Sequence, residues 1–146
     1  AWFGGRLPSE SEWEYAARSE GTDVMFPWGD EPQDCERANT GQGEAGGPWC
    51  DGESGMWLSC SHPLGSTPLG LCDMGGNAFE WTADWYWDTY TGHPTDGSAQ
   101  EFMANEFNVM RGGGIGSVAT ARVHERTFHP RDFLYGGMGA RCVTDP

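Results

Sequence analysis

The stretch "FPWGDEPQDCERANTGQGEAGGPWCDGESG", residues 26–55, constrains this chain more than any other. Its density of Gly, Pro, Asn, Asp and Ser predicts turns and loop, and the same character continues to Gly70. A segment this long does not stay ordered in a compact domain unless something clamps it. Disulfides and bound calcium are the usual clamps, and the sequence holds candidates for both. Cys35, Cys50, Cys60 and Cys72 fall in or beside the loop, while Cys142 stands apart. Four cysteines leave the connectivity open. Cys35–Cys50 with Cys60–Cys72 is the favoured pairing, because each bridge closes a short ring. Such bridges belong to an oxidising, extracytoplasmic compartment. Five buried free thiols are the alternative. No CxxC pair occurs, and the histidines are not spaced to complete a zinc site.

The calcium candidate is "CDMGGNAFEWTADW". Asp73 and Glu80 bracket two glycines, Gly75 and Gly76, which let the backbone fold tightly enough to turn carbonyls inward. Calcium takes oxygens from carboxylates, amides and carbonyls. Asp73, the carbonyls of Gly76 and Ala78, and Glu80 make a candidate ligand set. The spacing is not that of an EF-hand. A hydrogen-bonded turn explains the same residues without a metal.

Regular structure is sparse. In "LPSESEWEYAARSEG", Ser9 and Glu12 form an S-x-x-E capping box, Trp13, Ala16 and Ala17 follow at helical spacing, and Gly21 is the expected stop. "NAFEWTADWYW" reads as a strand, and "FNVMRGG" and "GMGARCV" as two short ones. A chain of 146 residues is the size of one domain, and its 23 glycines and 13% aromatic content suit a loop-rich fold with large aromatic anchors. No apolar run approaches the roughly 18 residues of a membrane-spanning helix.

Charge divides the chain. The net charge of −14 excludes a phosphate-binding footprint, and with it nucleic acid as a partner. Residues 1–110 carry nineteen carboxylates and three arginines, whereas residues 111–146 carry five arginines and three carboxylates. That basic tail contains "RGGGIGSVATARVHERTFHPRDFLYGGMGAR", rich in glycine, arginine, histidine and aromatics. Arg122, His124, Phe128, His129, Arg131, Phe133 and Tyr135 are side chains of the kind that make contacts, so the stretch reads as a recognition or assembly surface.

Four segments, "GGRLPSESEWEYAAR", "FPWGD", "GLCDMGGNAFEWTADWY" and "MRGG…GAR", occur in an order that resembles the formylglycine-generating-enzyme family, also called the sulfatase-modifying-factor domain. The resemblance covers nearly the whole chain. It implies an α+β, loop-rich fold of the C-type-lectin-like kind with bound calcium. It places the first calcium on Asp73, Gly76, Ala78 and Glu80, and a weaker second one on Asn39, Thr40 and Asp51. It also implies that residues 1–146 are the C-terminal portion of one domain, because family members carry a strand and a helix before the first motif. Cys142 resembles a family cysteine whose partner lies just upstream of that motif. A missing segment or second polypeptide is therefore expected beside Trp2, Phe3, Cys142 and the helix carrying Trp13.

Departures from the family decide the functional expectation. Active members hold copper through two cysteines shortly after R-G-G-S, and oxidise a substrate cysteine to formylglycine. Here Arg111 to Arg141 contains no cysteine, and Gly114 replaces the serine. Soft thiolates are what retain a cuprous ion, so copper is not expected. The expectation is a non-catalytic, extracytoplasmic domain that binds a ligand or partner, or serves as a structural subunit. Two alternatives stay open. One is a metal-dependent oxidase using His124, Glu125 and His129. The other is a hypervariable ligand-binding protein of a diversity-generating retroelement, a class that resembles this fold and varies this region. Adenine-directed variation of Asn codons cannot produce Glu, Gln, Lys, Met or Trp. Between Gly112 and Ala140 only Glu125 and Met138 belong to that set.

Overall fold

Ser9 starts the helix for a local reason. Its hydroxyl accepts from the Glu12 amide while the Glu12 carboxylate accepts from the Ser9 amide, so two otherwise orphaned donors are satisfied reciprocally. In the computed structural model, which describes residues 4–40, 50, 55–102, 105–115 and 121–145, helix α1 runs Glu10–Ala17. It ends before Gly21. Ser19 and Glu20 already adopt left-handed backbone, and Gly21 completes the turn three residues beyond the cap at Arg18.

Among the described residues four strands follow: β1 Phe79–Trp85, β2 Phe107–Arg111, β3 Thr127–Pro130 and β4 Met138–Gly139. They form one sheet in the order β3-β2-β1-β4, antiparallel except for the β1/β4 pair. Strand β3 carries no alternation and ends in proline, so its sequence does not announce it. It lies at the sheet edge, where a missing proline amide is tolerated. The register between β1 and β2 shifts between Trp81 and Trp85, as at a bulge.

Burial along β1 inverts the usual rule. Glu80, Thr82 and Asp84 point inward, while Phe79, Trp81, Ala83 and Trp85 are half-exposed. Each inward group has partners. Glu80 accepts from Trp13 and Arg141, Thr82 donates to the Val109 carbonyl, and Asp84 accepts from the Glu10 and Gln100 amides. Burial of polar groups is tolerated on that condition.

The apolar core is correspondingly small: Trp13, Ala17, Met74 and Val123, with Ala16, Val24 and Leu71 against it. Gly112 lets β2 leave this core. Its φ is +85°, and a Cβ there would sit 3.1 Å from the Trp13 ring. Trp13 is 1% exposed and packs within its own chain, so a polypeptide beside this helix would meet its other faces. Its indole is consumed by Glu80, Arg111 and Gly112, so the helix offers Ser11 and Tyr15 to the outside instead. Trp2 and Phe3 lie outside the described residues.

The long loop is clamped as its cysteine spacing suggests. Cys35–Cys50 and Cys60–Cys72 are disulfides, and Cys142 is free and exposed. The described part of residues 26–70 includes a short 3-10 turn, Pro63–Gly65, the isolated Phe26–Gly29 bridge and turns, with neither an α-helix nor a strand. Among the described residues no helix is long and apolar enough to cross a membrane.

Candidate functional site

Asp73 and Glu80 reach one place because the turn between them reverses on left-handed residues, Asp73, Gly76 and Asn77. At Gly76 a Cβ would lie 2.9 Å from the Asn39 carbonyl, so only glycine fits. Asp73, Ala78 and Glu80 then line a polar cleft of about 260 Å³ together with Ser59, Asn77 and Arg141. Asp73 Oδ2 accepts from the Ser59 hydroxyl at 2.9 Å and the Cys60 amide at 2.7 Å. Glu80 accepts from Arg141 Nε and a terminal Arg141 nitrogen, both at 2.6 Å, and from the Trp13 indole at 2.6 Å. The Gly76 carbonyl accepts from the Ala78 amide.

An all-oxygen donor set of two carboxylates and backbone carbonyls has the chemistry calcium prefers. The Arg141 guanidinium opposes it, since a cation already holds both Glu80 oxygens. Calcium in this cleft requires Glu80 to share those oxygens or to release Arg141. Cys60 and Cys72 lie beside Asp73, but their sulfurs are joined to each other and offer no thiolate.

Of the weaker second set, Asn39 and Thr40 are described. Asn39 donates to the Gly55 carbonyl at 2.8 Å, and Thr40 accepts from the Gln33 amide in the interior. Asp51 lies outside the described residues.

The seven residues of the basic tail divide into groups. Phe128 stacks on Tyr86 with centroids 3.9 Å apart. His129 stacks on Phe133 at 4.3 Å, and the Arg131 guanidinium lies 4.2 Å above the Trp85 ring. These four and the exposed Tyr135 belong to β3 and the segment after it. Arg122 is half-buried elsewhere, and His124 lines a separate cleft with Glu14, Tyr15 and Tyr90. His124, Glu125 and His129 do not converge. His124 Nε2 is 3.6 Å from a Glu125 oxygen, while His129 is occupied by Phe133, and among the described residues no metal-ligating group includes all three.

An ion network beneath this face escapes sequence reasoning. Glu10 is 3% exposed and accepts from Arg111 at 2.9 Å, from Arg126 at 2.7 and 2.8 Å, and from the Tyr90 hydroxyl at 3.1 Å. Arg111, equally buried, also reaches Glu14 and the Val123 carbonyl. Arg126 lies against the Tyr86 and Tyr90 rings. Burial, then the Glu10 charge, pushes the Tyr90 phenol up to about 12. Burial also raises the Asp84 carboxyl, although the Gln100 and Glu10 amides pull it down. The one sequence signal for this network was the excess of arginine in the tail.

A small sheet, a clamped loop and a carboxylate-bearing turn define a loop-rich domain of the C-type-lectin-like kind. The chain belongs to the sulfatase-modifying factor enzyme 1-like domain family, whose model matches residues 1–146. It is 43% identical to the formylglycine-generating enzyme of Mycobacterium tuberculosis over 99% of this chain and 52% of that protein. It is 40% identical to the inactive C-alpha-formylglycine-generating enzyme 2 of Bos taurus, over 99% of this chain and 45% of that protein. The solved Treponema denticola variable protein 1 superposes with a TM-score of 0.75 and 29% identity, covering 97% of this chain and 48% of the other. The chain thus spans about half the length of these relatives.

Proposed function

We propose that this chain belongs to a non-catalytic member of the family, an extracytoplasmic binding or structural subunit that holds calcium and pairs with a further polypeptide or segment. One observation carries this reading: every cysteine is accounted for away from Arg111–Gly114. Four are in disulfides and the fifth, Cys142, is exposed beside Gly5 at the other end of the chain. A cuprous ion would find no thiolate pair where active relatives carry theirs. Similarity to a relative described as inactive supports the same conclusion. The two disulfides support an oxidising compartment. Calcium would supply a structural clamp on the turn, held by Asp73, Glu80 and the carbonyls of Gly76 and Ala78.

The test is incubation of the purified protein with copper, oxygen and a cysteine-containing peptide. We expect no oxygen uptake and no aldehyde by mass spectrometry. Oxygen-dependent turnover would overturn the non-catalytic reading and favour the metal-dependent oxidase.

A second reading rests on the likeness to Treponema denticola variable protein 1 and on the restricted composition of Gly112–Ala140. In it the tail is a hypervariable ligand-binding face of a retroelement-diversified protein. Sequencing the gene across sibling isolates tests it: changes confined to adenines within this segment support it, and an invariant segment refutes it.

A further inference from the structure

Six of the eight arginines lie within 4 Å of a carboxylate: Arg6, Arg18, Arg37, Arg111, Arg126 and Arg141. In a chain with 22 carboxylates this is the ordinary outcome. Arg131 departs from it. Among the described residues it has no carboxylate partner, and its single protein hydrogen bond goes from Nε to Asn108 Oδ1 at 3.1 Å.

The guanidinium is nonetheless held in place. Asn108 is 3% exposed, and its amide nitrogen faces the Asp84 carbonyl at 3.1 Å and the Ala83 carbonyl at 3.5 Å. With the nitrogen so occupied, the amide oxygen is the atom turned to Arg131. The Trp85 ring supports the guanidinium plane at 4.2 Å. Stacking and one fixed bond orient the fork and leave its terminal nitrogens available, which is the arrangement that suits a bidentate carboxylate.

Space for a ligand lies on both sides. Arg131 and Leu7 line two cavities in common. One, about 270 Å³, is walled by Leu7, Trp81 and Ala140, with Thr82 and Asn108 as its polar edge. The other, about 460 Å³, is bounded by Arg6, Ala83 and the Gly97–Ala99 segment. Glu12 and Glu101 also line the larger cavity, but Glu12 is neutralised by a double hydrogen bond to Arg6.

We propose that Arg131 anchors a binding site for a carboxylate joined to an apolar group. The carboxylate takes the terminal nitrogens of Arg131, the apolar group enters between Leu7, Trp81 and Ala140, and the rest of the ligand lies in the larger cavity. The proposal rests on the reading of the tail as a recognition surface and names the chemistry it recognises. Its failure is separable from that of the non-catalytic reading, because one is read by equilibrium binding and the other by turnover.

The experiment titrates the protein with three short peptides, followed by calorimetry and tryptophan fluorescence. One ends in leucine with a free carboxylate, one is its C-terminal amide, and one is an amide with an internal glutamate. The free acid should bind, more weakly at high salt. Arg131→Gln should weaken it by about tenfold or more while the circular dichroism spectrum stays that of the folded parent, and Arg131→Lys should not restore it. Binding of the glutamate peptide in place of the free acid assigns the carboxylate to an acidic side chain and supports the site. Equal affinity for acid and amide, full affinity in Arg131→Gln, or no binding of any peptide at millimolar concentration overturns it.

Discussion

Glu80 and Arg141 are joined by two hydrogen bonds of 2.6 Å, tying the first strand to the C-terminal segment across 61 residues. Both Glu80 oxygens are engaged, and the Trp13 indole adds a third donor. The same carboxylate therefore serves the helix, the tail and the proposed metal.

Calcium should raise the melting temperature of the parent protein relative to EDTA, and Glu80→Ala should lower stability and abolish that increment. Arg141→Ala should retain the calcium response, because it frees a carboxylate for the ion. Differential scanning calorimetry in both buffers decides. Equal melting of parent and Glu80→Ala across EDTA and calcium refutes the site.

Glu10→Gln removes the charge that two arginines share in the interior. Breaking a buried pair leaves an uncompensated charge and costs about 3–5 kcal/mol. Urea unfolding should show a loss of that order. Glu36→Gln, on the exposed loop, should be near neutral. A Glu10→Gln midpoint within error of the parent would show that the network contributes nothing.

Tyr90 gives alkaline stability a definite sign. Its folded pKa is raised to about 12, above the ordinary value near 10, so the folded state retains a proton that the unfolded chain loses. The contribution is intact below about pH 10 and is lost as pH rises toward 12. More than half of the residue is exposed, so the effect is modest. Denaturant midpoints for Tyr90→Phe should fall less steeply over that window than those of the parent.

The disulfides should be separable. Cys35–Cys50 spans 15 residues and Cys60–Cys72 spans 12. Opening a ring of this size costs about 3 kcal/mol in the chain-entropy account. Non-reducing peptide mapping should recover both bridges with Cys142 alone alkylated. Four alkylated loop cysteines would remove the bridges and the support they lend to an oxidising compartment.

The gap between expectation and structure has a physical pattern. Gly21 was expected to stop the helix, yet the chain turns earlier because Ser19 and Glu20 take left-handed backbone. Strand β3 was not anticipated, since "TFHP" becomes a strand only through pairing with β2. Trp13 was expected on the helix at helical spacing, but the groups that enclose its indole, Glu80, Arg111 and Gly112, are all distant in sequence. Asp73, Ala78 and Glu80 share a cleft, but the Arg141 guanidinium that completes it lies 61 residues beyond Glu80.

By itself, the sequence determined the capping-box helix, the position of β1, the two short disulfide rings and the family. These depend on near neighbours: reciprocal hydrogen bonds three residues apart, alternation, ring closure and contiguous motifs. Tertiary structure alone decided which face of β1 turns inward, and it chose the polar one. It also decided that Glu10 meets Arg111 and Arg126, 101 and 116 residues away, and that Arg131 is held without a carboxylate. Burial and charge pairing are set by whichever distant segments close over a residue. A charged group becomes interior only when its partner arrives with it, and no local pattern records that arrival.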